Sequence, residues 1–385
     1  MESRDHQAVP IVSERHDHAR RRLVLVRPAT GGVAAVAART AKELAAHGWT
    51  VTDIPLPSGG APARVGLRAL RSLRNELDRA EIVHVEFGCL DLAPFWFAEL
   101  AVALRRVVVV AHDSPSPIKA PATGLIVTGT RWRDVSAHRV LAPVLDRALV
   151  SVVQRRAAAV VVLDDAARER WQRAGARNVV AVEHPADPPT PGSTPPSEGG
   201  HVLAAGYIGP AKGLDVLIDA WQEVGATTEL PLVVAGTHTG GVDGVAYERA
   251  LHERGRGLTR PPRWLGFVSE AELGRLFAGA AVVVLPYRRS APASGALVRA
   301  MVEGRAVVAT QLPGAFARLR SEVDALLVPA GDVAALGGAL ARLLHDPCLR
   351  DRLGREAADH AAARFRWPGY IEGLERAYRL AGAAR

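Results

Sequence analysis

The sequence contains few of the residues that mark several common classes of protein. It has only two cysteines, Cys89 and Cys348, in 385 residues. They are too few and too far apart for a disulfide framework or a thiolate metal site. Free thiols in a reducing cytoplasm are the simple expectation. No HExxH or CxxC motif, no Ser/His/Asp order and no recognisable carboxylate pair is present. No run of 18 apolar residues occurs, so no membrane-spanning helix is predicted.

Lysine is also scarce, and it occurs only as Lys42, Lys119 and Lys212. Arginine is abundant, which we attribute first to coding bias. The formal net charge is +8. A positive charge of this size suits a nucleotide, another polyanion or an anionic membrane surface. No nucleic-acid-binding motif accompanies it, so no nucleic-acid partner is expected.

Residues 1–20 lack the apolar core of a signal peptide and are strongly polar. We predict a disordered tail for this segment and a cytoplasmic location for the protein. Three histidines in the tail could bind a metal ion, but no recognisable ligand spacing supports such a site.

The chain does contain a regular alternation of apolar strands and amphipathic helices. Val-rich runs such as RVVVVAHDS (106–114) are continuous rather than alternating, which is typical of strands buried on both faces of a parallel sheet. The alternation stops at a segment rich in Pro, Ser and Gly, then resumes. It predicts an α/β protein with two tandem Rossmann-like domains facing a cleft. The expected boundaries are a tail at 1–20, a first domain at 21–185, a linker at 186–200, a second domain at 201–365 and a C-terminal helix at 366–385 that crosses to the first domain.

Two glycine-containing turns lie between a strand and a helix, where such sheets bind ligands. TGGV (30–33) opens the first helix, and its backbone amides suit an anion at the helix N-terminus. A simple tight turn is an equally good interpretation. GYIGPAKGLD (206–215) sets Lys212 beside a helix start, which suits a diphosphate, although an ordinary surface lysine is the commoner outcome. Neither turn matches GxGxxG or a P-loop.

Histidine and arginine supply two further candidate features. His112 ends a buried strand in AHD and should emerge at the cleft edge, whereas His84 lies within its own strand. A structural role is the commoner outcome for either histidine. A helix over 64–79 sets four arginines near one face, which suits an acidic acceptor or an anionic membrane, although a solvated face is the favoured interpretation. These four are Arg64, Arg68, Arg71 and Arg74.

In their order, these segments resemble the family 4 retaining glycosyltransferases, known as glycosyl transferases group 1, which have the GT-B fold. The resemblance covers roughly residues 22–380. It rests on GGV with a helix ending HGWTV, the HVEFG strand, the strand ending AHD, GYIGPAKGLDVLIDAW, LGFVSEAELGRLFAGAAVVVLP, SGALVRAMVEGRAVVAT and DALLVPAGDVAALGGALARLL. It implies transfer of a sugar from a nucleotide-diphosphate sugar to an acceptor. Transfer would retain anomeric configuration and need neither a metal nor a cofactor. The acceptor is not revealed.

The resemblance also implies roles for individual residues. His112 would lie near the reacting sugar, and Lys212 would stabilise the leaving diphosphate. The donor-binding positions would be Gly31, Gly32, Tyr207, Gly266, Phe267, Val268, Ser294, Gly295 and Arg299. Within that set, residues 266–268 would lie against the nucleobase, and the amides at Ser294 and Gly295 would face the diphosphate.

Three positions depart from the family pattern. An arginine shortly before the lysine falls on Tyr207, and two glutamates separated by seven residues fall on Ala291 and Arg299. A guanidinium can only donate hydrogen bonds, so Arg299 cannot accept from ribose hydroxyls as a glutamate would. A local alternative is an ion pair between Arg299 and Glu303, one helical turn on. The departures favour a second hypothesis, a catalytically impaired pseudo-glycosyltransferase that acts as a binding partner. A third is another chemistry, such as phosphorolysis, in the same cleft.

Overall fold

The computed structural model of the protein describes residues 21–57, 61–88, 92–113, 147–191, 200–238, 242–289 and 293–383. These residues form two α/β domains, each built around a parallel sheet, which confirms the predicted fold class. The predicted tail at 1–20, the loop at 114–146, most of the segment 186–200, and the positions of Cys89 and Ala291 lie outside the described residues. Cys348 is a free, exposed thiol.

The first domain contains six described strands, which pair in the order β2-β1-β3-β4-β5-β6. The strands are β1 (Arg22–Pro28), β2 (Thr50–Leu56), β3 (Ile82–Phe87), β4 (Val107–Ala111), β5 (Ala159–Val162) and β6 (Val179–Ala181). The helices are α1 (Gly32–Ala46), α2 (Pro62–Ser72), α3 (Arg74–Arg79), α4 (Leu92–Ala101), α5 (147–156) and α6 (Asp165–Arg173). Every residue of β3 and β4 is buried, because helices cover both faces of the sheet.

The second domain repeats this plan with the strand order β12-β11-β10-β7-β8-β9. Its strands are β7 (His201–Ala205), β8 (Leu232–Ala235), β9 (Arg263–Gly266), β10 (Ala280–Leu285), β11 (Ala306–Thr310) and β12 (Leu326–Val328). Its helices are α7 (Leu214–Val224), α8 (Val242–Arg256), α9 (Glu270–Ala278), α10 (Gly295–Val302), α11 (Val333–His345) and α12 (Pro347–Arg364). The chain order reverses between β1 and β3 in the first sheet and between β7 and β10 in the second. Such reversal points are where open α/β sheets bind ligands.

The last helix, α13 (Trp367–Ala383), packs on the first domain rather than on the second. Its apolar face is buried against β4, β5, β6 and α1 through Tyr370, Ile371, Leu374, Ala377 and Tyr378. Burial of each large side chain there contributes about 1.5–3 kcal/mol. Near the crossing point, Glu183 forms ion pairs with both Arg318 and Arg364, which ties the second domain to the end of the first.

Two local features differ from the sequence prediction. The expected continuous helix over 64–79 is divided at Leu73 into α2 and α3. The expected strand at 106–114 is shorter, since β4 spans only Val107–Ala111. Among the described helices, none is both long and apolar enough to span a membrane.

Candidate functional site

The loops that leave β1 and β7 face each other across the cleft. Gly31 caps the N-terminus of α1 with a φ of 96°. A Cβ atom at Gly31 would lie 2.7 Å from Tyr207 Oη, but that hydroxyl ends a half-exposed side chain that can move, so the backbone angle is what requires glycine. Tyr207 is half-exposed, and Gly32 begins the helix with open space around it. The structure therefore brings Gly31, Gly32 and Tyr207 together.

Lys212 lies at the reversal point of the second sheet. It ends a 3-10 turn (Pro210–Lys212), after which Gly213 adopts a φ of 66° and starts α7. A Cβ atom at Gly213 would lie 1.9 Å from the carbonyl oxygen of Pro286, so only glycine allows this close approach to the end of β10. Lys212 Nζ lies 3.8 Å from the ring centroid of Tyr287. The cation–π contact holds the ammonium group beside β10.

The N-terminus of α10 adjoins Lys212 through Tyr287. Tyr287 Oη lies 3.3 Å from Ser294 Oγ, and the same serine oxygen accepts a hydrogen bond from the backbone N–H of Leu297. Ser294 therefore caps α10 from a buried position, while Gly295 is exposed. The N-terminus of α10, with its positive helix dipole, and the lysine ammonium group therefore both contact Tyr287, which is an arrangement that favours a phosphate anion.

The segment after β9 forms another part of the candidate site, at the carboxyl edge of the second sheet. Gly266 ends the strand, and its carbonyl oxygen accepts a hydrogen bond from Gly236 N at 2.8 Å. Phe267 is 82% exposed, whereas Val268 packs against the second-domain core. An aromatic ring this exposed is available to stack on a flat ligand.

Arg299 lies on α10 and is directed towards α9. Its Nη1 lies 3.6 Å from Glu270 Oε2, and a Cβ atom at Gly274 would lie 2.7 Å from its Nη2. Glu303, which the sequence offers as an alternative partner, is buried and accepts hydrogen bonds from Thr190 N at 3.0 Å and Thr190 Oγ1 at 2.6 Å. Glu270 begins α9 directly after the 266–268 segment and Ser269, so Arg299 adjoins that segment through its ion pair.

His112 belongs to a buried cluster in the first domain. It follows β4 and is only 8% exposed, and its Nε2 lies 2.8 Å from Glu86 Oε2. The other carboxylate oxygen of Glu86 lies 3.1 Å from His84 Nε2. His84 Nδ1 in turn lies 2.5 Å from Tyr378 Oη on α13. His84 and Glu86 share one face of β3 because side chains alternate along a strand.

The charge of the cluster follows from these contacts. Burial alone would raise the pKa of Glu86, but hydrogen bonds from His112 and His84 outweigh it and lower the pKa to about 2. Burial raises the pKa of Tyr378 well above its usual range, so its hydroxyl stays protonated. Burial and the nearby His112 lower the pKa of His184 to about 4. The rings of His112 and His184 have centroids 6.3 Å apart.

Three residues of the site were not selected from the sequence. Glu86, Tyr287 and Tyr378 each contact a residue named from the sequence, but the sequence patterns predicted no role for these three. The pattern His-x-Glu within VHVEFG carried a signal, since two polar residues on one face of a buried strand need partners. Among the described residues, no group of three His, Cys, Asp or Glu side chains is arranged to hold a metal ion.

Comparison with known proteins identifies part of the chain. Residues 199–346 match the family model described as Glycosyl transferases group 1. The protein contains a glycosyl transferases group 1 domain. This domain includes Lys212, Tyr287, Ser294 and Arg299, and thus the whole second-domain side of the candidate site.

Full-length relatives and solved structures extend the comparison. The chain is 33% identical over 185 residues to a phosphatidyl-myo-inositol mannosyltransferase of Mycobacterium leprae, which covers 48% of this chain and 47% of the relative. The chain thus matches about half the length of this curated relative. Sucrose-phosphate synthase from Thermosynechococcus elongatus superposes with a TM-score of 0.75 and 18% identity over 95% of this chain and 100% of that one. HepE of Anabaena in complex with UDP-glucose superposes with a TM-score of 0.67 and 16% identity over 94% of this chain and 98% of that one. These likenesses show the GT-B fold.

Proposed function

We propose that the protein is a glycosyltransferase that moves a sugar from a nucleotide-diphosphate sugar to an acceptor. Transfer retains anomeric configuration and uses neither a metal ion nor an organic cofactor. One observation carries the proposal: Lys212 and the N-terminus of α10 both contact Tyr287 at the sheet reversal point of a glycosyl transferases group 1 domain.

The chemistry requires stabilisation of a leaving group. The bond between the anomeric carbon and the diphosphate oxygen breaks, and a bond from that carbon to the acceptor oxygen forms. The acceptor proton passes to the departing diphosphate. Negative charge grows on the diphosphate as the bond breaks, so the fixed ammonium group of Lys212 and the amides at Ser294 and Gly295 lower the barrier. The Gly31–Gly32 turn supplies further amides from across the cleft.

The remaining donor contacts follow from the same geometry. The exposed ring of Phe267 and the backbone of Gly266 and Val268 form the surface for the nucleobase. His112 lies at the end of β4, on the carboxyl edge of the first sheet, where it would contact the sugar. Arg299 lies beside the 266–268 segment, where it is paired with Glu270.

The acceptor side of the proposal concerns anionic surfaces. Arg64, Arg68, Arg71 and Arg74 are all exposed along α2 and α3. The name of the Mycobacterium leprae relative specifies phosphatidyl-myo-inositol, an anionic lipid. We therefore propose peripheral contact with an anionic membrane surface and include phosphatidylinositol among the acceptors to be tested. The cytoplasmic location stays a prediction.

A donor and acceptor screen tests the function. Purified protein is incubated with UDP-, GDP- and ADP-sugars in the presence of EDTA, with phosphatidylinositol vesicles and free inositol phosphates as acceptors. UDP-glucose comes first because the HepE complex holds it. We expect one donor to be consumed, and NMR of the product to show the anomeric configuration of the donor.

Each other outcome of the screen has a distinct meaning. An inverted product would contradict retention, and activity that appears only without EDTA would contradict the metal-free mechanism. Nucleotide binding without any turnover would favour the catalytically impaired binding partner. No binding of any nucleotide would overturn the proposed function.

A further inference from the structure

Four side chains form a continuous hydrogen-bonded series from the cleft edge into the first-domain core. The series runs from His112 through Glu86 and His84 to Tyr378, with distances of 2.8, 3.1 and 2.5 Å. All four residues are at most 8% exposed. The series connects the end of β4, the middle of β3 and the C-terminal helix.

Packing alone does not call for this series. Val83, Val85 and Phe87 fill the opposite face of β3 with ordinary apolar contacts. On the face towards α13, the neighbouring strands contribute Leu23, Leu25, Val108 and Val110. Two apolar residues would suit positions 84 and 86 equally well, because a buried carboxylate is costly unless it is fully hydrogen-bonded. A polar series at the edge of the cleft therefore points to a role for His112, the residue of the series that reaches the cleft.

The hydrogen bonds define the direction in which each group donates. Glu86 is ionised and can only accept, so both histidines donate to it, and the hydroxyl of Tyr378 donates to the other ring nitrogen of His84, Nδ1. His84 then carries its proton on Nε2 and donates to Glu86 Oε1. The second carboxylate oxygen accepts from His112 Nε2. Both oxygens of Glu86 are thus occupied and its side chain is completely buried, so Glu86 can neither attack a substrate nor take a proton from one.

We propose that Glu86 is a positioning residue that holds the His112 imidazole with Nε2 protonated and Nδ1 left for the substrate, and that Tyr378 of the C-terminal helix completes this arrangement. The catalytic consequence rests on the proposed glycosyl transfer, whereas the arrangement of the imidazole does not. The crossing of α13 onto the first domain thereby has a local purpose at the site as well as a packing role.

The first experiment uses the unmodified protein and needs no activity. Long-range ¹H–¹⁵N NMR spectra of protein labelled with ¹⁵N-histidine distinguish protonated from bare ring nitrogens at pH 8. His112 is assigned by the signal that disappears in His112→Gln. We expect Nε2 of His112 to carry a proton. A bare Nε2 with the proton on Nδ1 would overturn the proposal.

The second experiment separates positioning from a merely structural role. Glu86→Gln keeps the shape of the side chain but offers one acceptor oxygen instead of two. It therefore cannot accept a hydrogen bond from each histidine at a separate oxygen. We expect kcat to fall about tenfold to a hundredfold, as for other supporting residues, while the Kd for the nucleoside diphosphate changes less than about twofold. The nucleotide is held by the other domain. Glu86→Asp, which keeps both oxygens, should recover part of kcat.

Tyr378→Phe is the matched control for the series. It removes one hydroxyl group and leaves the contact between Glu86 and His112, so its effect on kcat should be smaller than that of Glu86→Gln. Unchanged kcat in Glu86→Gln, or equal losses of kcat and nucleotide affinity, would contradict positioning. If Glu86→Gln does not fold, the spectrum of the unmodified protein decides. If the unmodified protein transfers no sugar, the proposed function fails while the NMR result still tests the arrangement.

Discussion

The two walls of the cleft are built from different parts of the polypeptide. On the second-domain side, main-chain groups dominate: a left-handed glycine beside Lys212, the start of α10, and the turn after β9. On the first-domain side, His112 is held by a buried network of side chains that reaches as far as α13. One wall depends on backbone geometry, and the other depends on the identities of a few buried residues.

This difference explains how the second domain can depart from the family pattern and still match its model. Backbone amides and a helix dipole do not change when a nearby side chain does. Tyr207 and Arg299 replace expected residues, yet the lysine, the serine cap and the glycine turn persist. The first-domain network has no such tolerance, because loss of any one member leaves a buried polar group without a partner.

The largest effect should come from removing the cation of the second-domain wall. Lys212→Ala leaves the fold intact, because Lys212 is only partly buried, but it withdraws charge from the leaving diphosphate. We expect kcat/KM for sugar transfer to fall by about 10²–10³, or about 3–4 kcal/mol. Lys42→Ala, which removes an exposed lysine from α1, is the matched control. Equal losses of kcat/KM in the two variants would show that Lys212 does not act on the leaving diphosphate.

The next largest effect should come from weakening the packing of α13 against the first sheet, on the first-domain side of the cleft. Leu374 on α13 is fully buried against the first sheet. Leu374→Ala removes this packing and leaves a cavity, and the free energy of unfolding should fall by about 2–5 kcal/mol. Denaturant unfolding measures the loss, and nucleotide affinity should stay unchanged in conditions where the variant is folded. A matching loss of nucleotide affinity would mean that the two walls are not independent.

Acid should destabilise the first-domain wall in two steps. The pKa of His184 is lowered to about 4 in the folded protein, whereas an unperturbed histidine has a pKa of about 6.5. Between about pH 6.5 and 4, the unfolded chain therefore binds a proton at His184 and the folded chain does not. The stability that His184 contributes is present above that range and is lost as pH falls through it, by about 3 kcal/mol. Glu86, with a pKa of about 2, adds a second loss between about pH 4.5 and 2.

Unfolding measured as a function of pH checks these steps in variants. His184→Asn should flatten the upper step and keep the lower one, whereas Glu86→Gln should flatten the lower. If the free energy of unfolding of His184→Asn still falls with the full slope between about pH 6.5 and 4, the slope comes from other titrating groups.

The smallest effect should come from Arg299. Arg299→Glu restores the carboxylate of the family pattern, but it also replaces the ion pair with Glu270 by two like charges. Because this pair is largely exposed, its loss should cost only about 0.2–1 kcal/mol of stability. Nucleotide affinity should change severalfold, since the pair adjoins the 266–268 segment. Arg299→Gln is the control that removes charge without repulsion, and an affinity unchanged in both variants would place Arg299 outside the donor site.

Much of the fold could be predicted, because Val-rich runs and helical spacing are local properties of the chain. The two parallel sheets and the turns around Gly31 and Lys212 follow from such patterns. The ion pair between Arg299 and Glu270 could not be predicted, because i to i+4 spacing is visible in a sequence whereas the approach of α9 is not. The hydrogen bond between His84 and Tyr378 joins residues 294 positions apart. No local pattern carries such a contact.

The central claim is that Lys212 and the start of α10 bind a diphosphate. Calorimetric titration of the wild-type protein and of Lys212→Ala, each with a nucleoside diphosphate and with the matching monophosphate, tests it most directly. We predict that the wild-type protein prefers the diphosphate by at least about tenfold, or 1.4 kcal/mol, and that the variant loses most of this preference. The same preference in both proteins, or none in the wild type, would contradict the account.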